Sequence, residues 1–244
     1  MLVIDAQVHE PPLAFQWAGA DQATRHELMT EVTLAYMRAV GVDRAILHPI
    51  SEPGWGEYAI ARMPDRFSLV VGSLAATEDG TLALRGAAGS TPIPEIDEWV
   101  VERSRTPGVV GIRLGRPSLE LFEPALDAYA PEGLPVFVLP PSKSPNPRNF
   151  GGDFSVIEQI ARRYPGLTLV IDHLGLSQWP SELDSPPFRE LPGLLELAAY
   201  PNIAIKFAGA PAMSLQDYPF DDLWPHLRQI VDAFGAQRLM WGTD

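Results

Sequence analysis

The chain has 244 residues, no cysteine, and 31 acidic against 18 basic side chains, a formal net charge of −13. The length suits one domain of about 250 residues, and the missing cysteine removes disulfides, thiolate nucleophiles and cysteine metal sites together. The acidic balance repels phosphate backbones and anionic membranes, which sets nucleic acid and membrane aside as partners.

Apolar runs of strand length alternate with amphipathic helical segments along the chain. The first strand is read over 2–4 and leads into Asp5, Gln7 and His9. Leu28, Val32, Ala35, Tyr36 and Ala39 recur at helical spacing and predict a helix over 23–40, with Gly41 as its C-cap. A second strand over 44–47 ends at His48-Pro49, and a short helix follows over 56–62. The third strand is 67–72. The stretch 77–94, rich in Gly, Ala and Thr, reads as loop. A helix over 96–105 precedes the fourth strand, 109–114, which carries Arg113. A helix over 119–129 and a fifth strand over 135–139 follow.

Four of the eight residues 140–147 are proline, so this segment lacks backbone donors and reads as a long loop. Beyond it come a helix over 155–164, a sixth strand over 167–171 continuing into Asp172-His173, and a second proline-rich loop over 178–188. A helix over 191–199, a strand over 203–207, a helix over 223–234 and a strand over 238–242 complete the series. Eight strands alternating with helices predict an α/β fold, a (β/α)8 TIM barrel spanning 1–244 as a single domain. No glycine-rich phosphate loop follows the first strand, which argues against a doubly wound sheet. No helix follows the last strand before Asp244, so the barrel is expected to lack its final helix and to leave an apolar face for a longer chain or a partner to cover. No apolar run reaches the roughly 18 residues of a membrane span, and nothing at the N-terminus has the form of a signal peptide. Together these point to a cytoplasmic protein.

Active sites of such barrels lie at the carboxyl ends of the strands. The polar residues there are Asp5, Gln7, His9, His48, Arg113, His173 and Asp244. Each also has a bland reading. Arg113 fits a structural ion-pair layer as well as it fits a substrate anchor. His48 and Lys206 read as structural, and Asp5 as a buried hydrogen-bonding group. His26 and His226 fall in helical segments and read as surface residues.

Asp5-x-x-x-His9, Gly111-Ile112-Arg113-Leu114, Val170-Ile171-Asp172-His173-Leu174-Gly175 and Trp241-Gly242-Thr243-Asp244 occur in this order over the whole chain. With them the sequence resembles the amidohydrolase superfamily, in the branch often called amidohydrolase 2. That branch holds metal-dependent decarboxylases and also lactonases, some of which work without metal. Its members usually start with His-x-His and often carry a histidine after the fifth strand. Here Gln7 stands in the first place and Leu139 or Pro140 in the second.

The resemblance implies a hydrolase of a small carboxylated cyclic substrate, a lactone or a related ester or amide. Asp244 would activate water. His9 and His173 would either join Asp244 around one divalent metal, zinc or manganese, or donate hydrogen bonds to the developing oxyanion. Arg113 would hold a substrate carboxylate, Gln7 would orient substrate or water, and His48, Trp55 and Tyr58 would line the pocket. Related barrels often form homodimers. Two alternatives stay open: a metal-dependent nonoxidative decarboxylase of an aromatic or unsaturated acid, and a non-catalytic barrel used for binding.

Overall fold

The computed structural model describes residues 1–11, 19–76, 82–86, 89–93, 95–115, 119–143, 150–178 and 188–244. Eight parallel strands follow one another around the sheet: β1 (Ile4–Val8), β2 (Arg44–Leu47), β3 (Phe67–Ala76), β6 (Val109–Gly115), β7 (Val136–Leu139), β8 (Leu169–Ile171), β9 (Ile203–Ala208) and β10 (Leu239–Gly242). Helices α1 (Gln22–Val40), α2 (Pro53–Arg62), α3 (Ile96–Ser104), α4 (Leu119–Tyr129), α5 (Ser155–Arg163), α6 (Leu191–Glu196) and α7 (Trp224–Phe234) connect them. This is the TIM-barrel architecture that the alternation predicts.

The helix signals work as their chemistry requires. The Asp21 carboxylate accepts from Thr24 N at 2.8 Å and caps α1, and Gly41 ends it in the left-handed region at φ 75°. His26, Met29, Thr30, Thr33, Leu34 and Met37 form its buried face. His26 is therefore a packed residue rather than the surface one its helix suggests, because it falls on the same stripe as Met29 and Met37. His226 stacks on Phe188, with ring centroids 4.1 Å apart.

Two segments depart from the sequence reading: β1 runs Ile4–Val8 rather than 2–4 and so carries Asp5 and Gln7 within it, and the stretch read as loop holds strands. Within 77–94, β4 (Leu82–Gly86) and β5 (Gly89–Pro92) form an antiparallel hairpin that pairs with the end of β3. β3 runs past the barrel rim, and β4 satisfies the edge it would otherwise expose. Residues 77–81, 87–88 and 94 of that segment, 144–149 of the first proline-rich loop and 179–187 of the second lie outside the described residues.

The apolar residues divide into two cores. One lies between sheet and helices. The other fills the lumen with Val70, Phe137, Val170 and Ala204, bordered by Ile46, Val110 and Met240. Gly111 makes the lumen packing possible, since a Cβ there would sit 2.7 Å from the Phe137 ring. Strand side chains alternate with period two, so the residues two positions beyond Ile46, Val170 and Ala204 face the same way one layer nearer the strand ends. Those residues are His48, Asp172 and Lys206, all with no exposed surface.

The outer wall beside β10 is less well covered. A cavity of about 630 Å³ lies there, lined by Phe207, Leu227, Val231 and Trp241 among others, with Trp241 48% exposed. No helix among the described residues is long and apolar enough to cross a membrane.

Candidate active site

The first and last strands meet through Asp5. Its Oδ1 accepts from Gln7 N and Thr243 N, each at 3.0 Å, and its Oδ2 accepts from Thr243 Oγ1 at 2.6 Å. Asp244 N donates to Gln7 O at 3.0 Å. Gly242 permits the approach, because a Cβ there would lie 2.9 Å from Gln7 N. Asp244 is held at φ 73°, a left-handed conformation that aspartate tolerates better than most residues. Its carboxylate faces the mouth of the barrel.

His9 stands just beyond β1. Its Nδ1 donates to His48 O at 2.6 Å and its Nε2 meets Asp244 Oδ1 at 2.8 Å. His9 Nε2 therefore faces the Asp244 carboxylate and, at 3.1 Å, the Gln7 amide nitrogen. Gln7 Nε2 donates to the same Asp244 Oδ1 at 2.7 Å, while Gln7 Oε1 is buried with no hydrogen-bond partner among the described residues. Burial alone raises the Asp244 carboxyl, but the His9 hydrogen bond and the charges of His173, His9 and Arg113 outweigh it and hold the group below its usual range.

His173 follows β8 in a turn where His173, Leu174 and Gly175 have φ of 54°, 59° and 68°. Two non-glycine residues in this region store backbone strain, a recurrent feature of functional sites. The strain aims the imidazole into the lumen. Its Nε2 accepts from Arg113 Nη2 at 3.3 Å. Its Nδ1 lies 3.3 Å from Asp244 Oδ2, close enough for an ionic contact but outside hydrogen-bond alignment, so this buried nitrogen makes no hydrogen bond among the described residues. Burial, with Arg113 and Lys206 adding to it against Asp172 and Asp244, lowers the imidazole to about 4.

A charged floor lies beneath. Asp172 Oδ2 accepts from Arg113 Nε at 2.7 Å, and Asp172 Oδ1 accepts from Lys206 Nζ at 2.7 Å. Burial raises the Asp172 carboxyl, yet Lys206 and Arg113 together hold it well below the usual carboxylate range. Burial lowers Lys206 to about 8, against the pull of Asp172. Its ammonium sits 4.4 Å over the Phe137 ring and 3.3 Å from His48 Nε2. Burial and Lys206 also keep His48 far below the ordinary histidine range.

The structure thus brings Gln7, His9, Arg113, His173 and Asp244 together. It does not bring Trp55 or Tyr58 to them. Trp55 is fully buried and its indole donates to Thr30 Oγ1 at 3.1 Å, while the Tyr58 ring lies 5.8 Å from His26. Both belong to the α1–α2 layer, because α2 turns this face toward α1 and away from the lumen. His48 is an interior residue whose backbone carbonyl fixes His9. Asp172 and Lys206 join the cluster without having been singled out for it. The signal for Lys206 is a lone charge in the apolar strand 203–207, and that for Asp172 is its place directly before His173.

An eight-stranded barrel with a carboxylate and two imidazoles at its strand ends defines the class as a (β/α)8 enzyme with acid–base groups at the C-terminal face. The chain belongs to the amidohydrolase family, a family of hydrolases whose model matches residues 4–244. It is 29% identical to an L-fucono-1,5-lactonase of Burkholderia ambifaria, over 77% of this chain and 67% of that protein. Among solved structures it is similar to a probable 2-pyrone-4,6-dicarboxylic acid hydrolase of Acinetobacter baumannii with citric acid bound, at a TM-score of 0.64 and 17% identity. It is likewise similar to an amidohydrolase of Burkholderia multivorans with bound zinc, at 0.62 and 20%. Both alignments cover 100% of this chain and 84% of the other.

A zinc-bound relative makes the metal expectation for His9, His173 and Asp244 testable against geometry. Among the described residues, no group of three or more His, Cys, Asp or Glu side chains is placed to hold a metal ion. The reason is local. His173 Nε2 is taken by Arg113, and Asp244 Oδ1 is taken by both His9 and the Gln7 amide. The amide presents a donor where a metal centre requires a lone pair. The described residues do not fit a metal, and the chemistry below is drawn from the side chains alone.

Proposed function

We propose that this chain hydrolyses a small cyclic ester bearing a carboxylate, a lactone foremost. One observation carries the reading: the Asp244 carboxylate, held below its usual range at the barrel mouth, lies 3.3 Å from the buried His173 Nδ1, which makes no hydrogen bond among the described residues. Asp244 Oδ1 is occupied by two donors, which leaves Oδ2 as the oxygen able to take a proton from water. The water oxygen attacks the lactone carbonyl carbon, and the carbonyl oxygen becomes an oxyanion facing His173 Nδ1–H. When the ring C–O bond breaks, the leaving oxygen recovers the proton from Asp244, so lactone and water give one hydroxy acid. Arg113 and Lys206 share the buried anion Asp172, and both also feel the Asp244 carboxylate at the mouth. The similarity to lactone-hydrolysing relatives supports the same substrate class. The decarboxylase alternative needs a metal set that the described side chains do not form.

Titration of released acid, on a panel of sugar 1,5-lactones and unsaturated lactone carboxylates, tests the proposal. Asp244→Asn is expected to lose about 10²–10⁴-fold in kcat, the usual worth of a positioned base. Turnover equal to the wild type would remove Asp244 from the chemistry.

A further inference from the structure

The buried cluster assigns Arg113 a task other than the substrate anchor that its position in the sequence suggests. We propose that Arg113 is a positioning residue that fixes the tautomer of His173 so that its proton stands on Nδ1, toward Asp244 and the reacting oxygen. A guanidinium only donates, so the Nε2 that meets Arg113 Nη2 at 3.3 Å must offer a lone pair. A neutral ring then carries its hydrogen on Nδ1, the atom 3.3 Å from Asp244 Oδ2. A second proton on Nε2 would face the Arg113 N–H, so the ring holds a single hydrogen.

Arg113 is itself held. Its Nε donates to Asp172 Oδ2, and the opposite oxygen of Asp172 is held by Lys206. Asp172 and His173 are consecutive, so one strand end supplies both the clamp on the arginine and the ring that the arginine orients. Exposure separates the roles: His9 and Asp244 keep 22% and 21% of their side-chain surface, whereas Arg113 keeps 4% and Asp172 and Lys206 none. A group that deep acts on substrate through its neighbours.

The proposal deepens the hydrolase reading and rests on it for its kinetic consequence, but the tautomer can be read without any substrate. Long-range ¹H–¹⁵N correlation spectra of histidine-labelled protein at pH 7, with the His173 signals identified by their loss in His173→Asn, report which ring nitrogen is protonated. The expected result is Nδ1–H favoured about tenfold or more, as a charge-assisted bond would impose. An Nε2–H ring in the wild type would overturn the proposal, as would an unchanged tautomer in folded Arg113→Met. In Arg113→Lys, which keeps a donor, the Nδ1–H form should be partly restored, and lactone turnover should fall chiefly in kcat. A rise in KM with kcat unchanged would return Arg113 to the role of carboxylate anchor. If the wild type turns over no lactone, the hydrolase reading fails while the spectra still decide the link between Arg113 and His173.

Discussion

The mouth and the floor of this barrel are both built from charged residues, yet they are built to opposite rules. At the mouth, His9 and Asp244 are about one-fifth exposed, and water can replace a lost partner. On the floor, Asp172 and Lys206 have no exposed surface and Arg113 has 4%, so every charge depends on another protein group. The contrast teaches that charge in a barrel lumen does two jobs. Chemistry needs the layer that solvent and substrate can reach, and the layer beneath holds the first in place.

The largest effect should come from breaking the floor. Asp172→Ala strands two buried cations, which typically costs about 3–5 kcal/mol. Denaturant unfolding should show this loss, whereas Asp244→Asn should change stability little while removing turnover. Equal stability losses in the two variants would abolish the distinction between the layers.

A pH effect of similar kind follows from His173. Its ordinary value is 6.5 and its folded value about 4, so the unfolded chain binds its proton first as pH falls. Stability should therefore decline between pH 6.5 and 4 and level off below. The shift corresponds to about 3 kcal/mol, at about 1.4 kcal/mol per unit. In His173→Asn this component of the pH profile should disappear. A profile identical to the wild type would assign the acid sensitivity to other groups.

The smallest effect is expected at Gln7. Gln7→Leu removes the donor to Asp244 but also removes the buried carbonyl that has no partner among the described residues, so stability should change by no more than about 1 kcal/mol. Asp244 loses one of the bonds that favour its charged form, and the acid limb of kcat/KM should move to higher pH. A large stability loss with an unmoved acid limb would make Gln7 part of the floor rather than the mouth.

Much of this was legible along the chain. The alternation of strand and helix gives the barrel. The placement of polar residues at strand ends points to His9, His173 and Asp244. Trp55 and Tyr58 were misplaced because a helix face is decided by what packs on it, and α1 offered Thr30 and His26. The hairpin of β4 and β5 was hidden because its pairing partner is the overrun of β3, a feature of the rim that periodicity does not record.

The sequence by itself determined the order of the eight barrel strands and their connecting helices and the residue types at each strand end, because those depend on local periodicity and turn chemistry. Only the tertiary structure decided which nitrogen of each histidine is available, that Arg113 lies beneath the site, and that the Gln7 amide stands against Asp244 in place of a metal ligand. Those outcomes depend on distances between residues as far apart in the chain as Gln7 and Asp244, and closure of the barrel is what sets them.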